Sequence, residues 1–122
     1  MIELLGGFPA DAVAFRGSGF LTKEDYDRVL VPAVEEALKT HEGVKVYYEI
    51  ASDFSGMSPA AMWEDFRVGM QHLSRWKRVA VVTDVPWIGQ MVQMFGFMIP
   101  VTIRVFAIAD AAEARVWLGQ DS

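Results

Sequence analysis

Apolar positions along this chain recur with a period that changes from block to block. Residues 2–5 and 12–16 form short apolar runs around Gly6-Gly7-Phe8-Pro9-Ala10-Asp11, whose turn chemistry predicts a hairpin. Gly17-Ser18-Gly19 closes the second run. Over Val44–Ile50 the side chains alternate, with Val44, Val46, Tyr48 and Ile50 on one side and Lys45, Tyr47 and Glu49 on the other. This predicts a half-buried strand with Glu49 facing outward. Residues 78–83 are almost continuously apolar, the pattern of a central strand covered on both faces. Residues 102–108 predict one more strand.

Between these runs the period lengthens. Tyr26, Val29, Leu30, Ala33, Val34, Ala37 and Leu38 recur at helical spacing behind Thr22, which forms a capping-box signature with Asp25. Pro32 falls inside this first helix and predicts a kink or a loosened turn. Residues 51–57 read as a loop. Ser58-Pro59 predicts a second helix to about residue 74, with Met62, Phe66, Gly69, Met70 and Leu73 as its buried stripe. Glu64 and Asp65 are placed in its first turn, where the helix dipole favours acids. A third helix is expected over roughly 86–97, with Ile88, Met91, Val92 and Phe95 toward the sheet and Trp87, Met94, Phe97 and Met98 on other sides. Asp110-Ala111-Ala112-Glu113 predicts a capping box for a short last helix before Gly119. The order β-β-α-β-α-β-α-β-α implies an α/β fold, a mixed and mostly parallel sheet with helices packed on it. It is expected to be a single domain over residues 1–122.

Composition removes several classes of chemistry. With 52% hydrophobic and 22% charged residues in 122, the chain can bury a core. It has no cysteine, which excludes disulfides, thiolate metal sites and a cysteine nucleophile. Only His41 and His72 are available for histidine chemistry. A net charge of −5 argues against nucleic acid. Residues 1–5 have no basic start and Gly6-Gly7 ends the run, so no leader is expected. Residues 85–103 lack charge, but Pro, Gly and Gln interrupt them and the apolar run falls short of the ~20 residues a bilayer crossing needs. A cytoplasmic location is expected, with peripheral contact at the inner membrane face as the alternative. The charge is uneven. Residues 66–109 hold Arg67, Arg75, Lys77, Arg78 and Arg104 against Asp84 alone. Residues 57–98 hold six of the seven Met and three of the four Trp, a composition that suits either a core or an adaptable binding surface.

Several stretches together resemble one family. They are Val13-Ala14-Phe15-Arg16-Gly17, Thr22-Lys23-Glu24-Asp25-Tyr26, Val46-Tyr47-Tyr48-Glu49 and Asp53-Phe54-Ser55-Gly56. Ala61-Met62-Trp63-Glu64-Asp65, Arg78-Val79-Ala80-Val81-Val82-Thr83-Asp84 with Trp87, and Glu113-Ala114-Arg115 with Trp117-Leu118 continue the likeness. In this order they resemble the SpoIIAA-like family of bacterial STAS-type domains (sulphate transporter and anti-sigma factor antagonist). The resemblance implies a mixed sheet with helices on it and no settled activity; membrane or lipid association enters as a hypothesis. Anti-sigma factor antagonists resemble the chain at Asp53-Phe54-Ser55-Gly56-Met57, but the serine that they phosphorylate is here Phe54. Ser55 matches only their second serine, so it is the candidate for a phosphoswitch, with Ser52 and Ser58 read as loop and cap residues.

Three functional readings follow. An enzyme would need Glu49, Asp53, Glu64 and Asp65 to converge, with His72 sharing a helix face with Glu64. No metal site, cofactor or catalytic residue is expected. A phosphoswitch would use Ser55. The favoured reading is a non-catalytic binding or regulatory module acting through the second and third helices. Trp63, Phe66, Met70, Trp87, Met91, Met94, Phe95 and Met98 would supply apolar contact, and Arg75, Lys77, Arg78 and Arg104 would supply charge at its edge. The expected partner is a lipid, an apolar small molecule, a membrane surface or a second copy in a homodimer.

Overall fold

The alternating runs pair as one sheet in the computed structural model, which describes residues 1–120. The strands are β1 (Ile2–Leu4), β2 (Ala12–Gly17), β3 (Phe20–Leu21), β4 (Val44–Ile50), β5 (Gly56–Met57), β6 (Trp76–Val82) and β7 (Ile103–Phe106). The helices are α1 (Lys23–Asp25), α2 (Val31–Thr40), α3 (Pro59–Gln71), α4 (Pro86–Met98) and α5 (Ala111–Gly119). The main sheet has the order β1-β2-β4-β6-β7. β1 pairs antiparallel with β2 as the predicted hairpin, and every other pairing is parallel. The architecture is thus the mixed, mostly parallel α/β fold expected. β3 and β5 form a separate two-residue parallel pair inside stretches that read as loops, because two residues are too few to show a period.

Local chemistry explains most boundaries. Thr22 and Asp25 form the predicted capping box, with Thr22 N–H donating to Asp25 Oδ2 at 2.9 Å. Before Pro32 the first helix widens into a π turn (Tyr26–Leu30), in which Val31 N–H reaches back to the Tyr26 carbonyl. The loosening expected at Pro32 takes this form, since the proline has no N–H for the regular ladder. Ser58 Oγ accepts from Ala61 N–H at 3.1 Å and starts α3. A 3₁₀ turn (Leu73–Arg75) then leads into β6. The capping box predicted at Asp110 does not form: Asp110 belongs to a 3₁₀ turn (Ile108–Asp110), its backbone is not extended, and its side chain caps nothing. Asp84 Oδ1 instead accepts from Ile108 N–H at 3.0 Å and anchors that turn.

The sheet has two differently filled faces. α5 covers one, where Ala14, Tyr47, Ala80, Val82, Phe106, Ala114 and Leu118 form a closed core. The first helix, α3 and α4 share the other, over Phe15, Tyr48, Val79, Val81 and Ile103. β4 is therefore covered on both sides, not half-buried: Lys45 and Tyr47 are buried under the α5 side.

A half-open groove between the third and fourth helices

The groove exists because α3 and α4 rest on different supports. α3 packs on α1 and the π turn, while α4 packs on β7. Between them a cavity of about 390 Å³ opens over the centre of the sheet. Its floor is Phe15, Val46, Tyr48, Val79, Val81 and Ile103. Met62, Phe66 and Met70 of α3 form one wall, and Trp87, Ile88, Met91 and Phe95 of α4 form the other. Phe66 and Phe95 meet across it with ring centroids 6.0 Å apart, and Phe54 meets Trp87 at 6.2 Å.

This geometry revises both helical stripes. In α3 the buried positions are Ala61, Glu64 and Val68, whereas Met62, Phe66 and Met70 are partly exposed. In α4 only Ile88 is buried. The apolar stripes face a space that no side chain fills, so they line a cavity where a core was expected. Phe66, Met70, Trp87, Met91 and Phe95 are brought together there. Trp63 lies just outside, stacked on Phe66 at 5.9 Å, and Met94 and Met98 point away and are exposed.

The expected charged edge is not there. Arg78 lies two residues before Ala80 in β6 and so shares the α5 face. Its Nη1 donates to the Trp117 carbonyl at 2.8 Å, and its guanidinium lies 4.9 Å from the Trp117 ring centroid. Arg104 belongs to the same face, over Phe106. Arg75 donates to the carbonyls of Leu38, His41 and Glu42, closing the C-terminal end of α2. Lys77 pairs with Asp11 at 3.2 Å. The basic residues are consumed by strand parity and helix capping.

The acidic residues separate as well. Glu49 does not face solvent. It accepts from Tyr47 at 2.6 Å and pairs with Arg16 at 2.8 Å on the α5 side. Burial alone would raise the Glu49 pKa, but the bonds from Tyr47 and Arg16 outweigh it and hold the carboxyl below its ordinary value. Glu64 lies in the second turn of α3, buried and paired with Arg67 at 2.9 Å. Asp53 is exposed in its loop, and the His72 ring meets Trp76 edge-on. Among the described residues no cluster of three His, Cys, Asp or Glu can hold a metal ion. Ser55 is exposed, with its N–H held by the Gly19 carbonyl at 2.9 Å.

Among the described acidic residues Asp65 alone lines the groove. The Tyr26 hydroxyl donates to Asp65 Oδ2 at 3.2 Å and lies 2.9 Å from the Tyr48 hydroxyl. Asp65 is open to the cavity yet crowded by protein atoms. The crowding pushes its pKa up to about 6, against which the Tyr26 bond acts, and water reaching it through the open side limits the effect. Burial and the nearby Asp65 carboxyl also push both tyrosines well above the ordinary phenol range. Sequence reading separates these three side chains, because Tyr26 and Tyr48 fall on apolar stripes and Asp65 falls among helix acids. The signal was an acid at Ala61/Asp65/Val68 spacing, on the apolar face of α3, and two tyrosines whose hydroxyls need partners once buried.

The described residues contain no helix long and apolar enough to cross a membrane. A model of the SpoIIAA-like family matches residues 12–119. The chain belongs to the SpoIIAA-like family. A solved SpoIIAA-like structure from Shewanella loihica PV-4, an uncharacterised protein of the DUF3478 family, is 27% identical. It superposes with a TM-score of 0.75, covering 96% of this chain and 93% of that one. No curated protein matches. For a SpoIIAA-like domain, the sheet and its helices are thus shared with a relative of similar length.

Proposed function

We propose that this SpoIIAA-like chain is a non-catalytic binding module that takes an apolar ligand into the groove between α3 and α4. One observation carries the reading: the cavity of about 390 Å³, whose lining is mostly apolar, with Asp65, two tyrosine hydroxyls and the indoles of Trp76 and Trp87 as its polar-bearing side chains. That volume lies in the range of small-molecule sites, as does a lining of apolar groups with a few convergent polar ones. An unfilled space of this size leaves its lining without dispersion partners, which an occupant restores. The groove offers one carboxyl and no paired base or nucleophile, which favours binding over catalysis.

The test is titration with N-phenyl-1-naphthylamine, an apolar dye that brightens on leaving water. The native protein is expected to bind it saturably. Gly69→Leu is expected not to, because Gly69 lines the groove and a Cβ there meets nothing within 4 Å. Absence of saturable binding to the folded native protein overturns the reading. A second reading has its own support. Met94, Phe97 and Met98 are exposed together outside the groove, with Phe97 at 94%. In that reading the end of α4 docks on a bilayer or on a second copy of the chain.

A further inference from the structure

The polar corner of the groove can be resolved proton by proton. A tyrosine hydroxyl carries one proton and an ionised carboxylate carries none. Tyr26 directs its proton to Asp65 Oδ2, at 3.2 Å. The 2.9 Å contact between Tyr26 and Tyr48 must then use the proton of Tyr48. Both hydroxyl protons are engaged inside the triad. What the triad has left is acceptor capacity: Asp65 Oδ1, to which no described residue donates, and the lone pairs of Tyr48, both side chains being part of the cavity lining. Among the described residues no Lys, Arg or His lines the cavity to compensate the Asp65 charge or greet a second anion. A carboxylate or phosphate head placed here meets like charge. A donor head finds an unpaired acceptor.

We infer that the groove selects its ligand by the head group: an apolar molecule whose one polar end donates a hydrogen bond to Asp65, an amine ahead of an alcohol, and either ahead of a carboxylate. The inference rests on the proposal that the groove is a ligand site, and it names the chemistry of that ligand. Tyr26 and Tyr48 act as positioning residues, fixing Asp65 Oδ2 so that Oδ1 is the atom presented. With a pKa of about 6, Asp65 is largely ionised near neutral pH, as the acceptor role requires.

The experiment uses three probes with one tail, decylamine, 1-decanol and decanoate, each displacing N-phenyl-1-naphthylamine from the native protein near neutral pH. Decylamine is expected to bind about ten- to a hundredfold more tightly than decanoate, the scale of one charge-assisted hydrogen bond. Decanol should fall between them. In Asp65→Asn the three should converge, because the amide neither attracts the amine nor repels the carboxylate. That variant also removes general attraction of the amine to an acidic protein as an explanation, since the rest of the −5 net charge is untouched. The ranking on the native protein needs no variant to fold. Decanoate binding as tightly as decylamine overturns the inference while leaving the groove as a ligand site. An unchanged order in folded Asp65→Asn also overturns it, as does failure of all three to displace bound dye. Absence of dye binding overturns the groove reading itself, and the inference with it.

Discussion

Tyr47 and Tyr48 are neighbours in β4 and point to opposite faces of one sheet. Each places its hydroxyl near a carboxylate, and the two carboxylates have opposite fates. Under α5, Glu49 gains Tyr47 and Arg16, and its pKa is lowered. Over the groove, Asp65 gains Tyr26 but no cation, and its pKa is raised. The packing differs in the same sense. Leu118, Ala114, Tyr47 and Val82 are fully buried on the α5 side, while the α3 and α4 residues that face each other stay partly exposed. One face is complete, with charge matched and space filled. The other keeps an unmatched acceptor beside unfilled space, and a face built that way is complete only with something bound. The largest test of this contrast is truncation on either side. Leu118→Ala is expected to lower unfolding free energy by about 2–5 kcal/mol, because the closed core cannot collapse onto the hole. Met91→Ala, beside space that is already open, is expected to lower it by less than about 1 kcal/mol. Urea denaturation of both variants measures the difference, and equal losses would erase the distinction between the faces.

The carboxylates sharpen the contrast through pH. Asp65 titrates near 6 in the folded chain against an ordinary value of 3.8, so the folded state holds the extra proton between those values. Stability contributed by that proton is full below about pH 4, falls as pH rises through 6, and is absent above. The groups facing Asp65 are Tyr26 from the π turn and Tyr48 from β4, both of which stay neutral through this window. Asp65→Asn is therefore expected to raise the melting temperature above pH 6, with the gain vanishing toward pH 4. Glu49 behaves oppositely: its contribution is present above the ordinary carboxylate range and is lost as pH falls. Melting temperatures of Asp65→Asn and Glu49→Gln should thus both depart from the native protein toward high pH, the first upward and the second downward, and both should converge on it in acid.

How far the sequence carries the reader depends on which face is considered. The β4 alternation, the Thr22 and Ser58 caps and the apolar run before Thr83 are local signals, and they place the strands and helices within a few residues. The apolar stripes of α3 and α4 were legible too, but a stripe reads the same whether it meets a core or a cavity. What decides is that α3 leans on α1 and the π turn and α4 leans on β7, a relation between distant segments. The arginines fail for the same reason. Arg75 is drawn to the carbonyls of α2 across more than thirty residues of chain, and Arg78 is turned to α5 by its register with β4. The triad was hidden because its members come from three segments joined only by the fold.

Filling the groove tests its openness without disturbing the core. Gly69 is a helical glycine with open space where its Cβ would stand. Gly69→Ala is expected to stabilise the chain by about 0.5–1 kcal/mol, since glycine within a helix is unfavourable by that amount relative to alanine. Gly69→Leu should keep that gain while excluding the dye. A stabilised variant that no longer binds separates the open space from the integrity of the fold; one that binds as the native protein does would place the dye elsewhere.

The smallest effect on folding is expected at the outer end of α4. Phe97 is 94% exposed, so Phe97→Glu should change stability by less than about 0.5 kcal/mol. If the exposed Met94, Phe97 and Met98 dock on a bilayer, native protein should float with phospholipid vesicles, and the folded Phe97→Glu variant should stay behind. Gly69→Leu should float like the native chain, because its change lies inside the groove and leaves the outer end of α4 intact. Loss of flotation in both variants would tie membrane contact to the groove itself. Flotation of neither the native chain nor the variants would set the bilayer aside and leave a second copy as the partner for that surface, to be read from the native mass by light scattering.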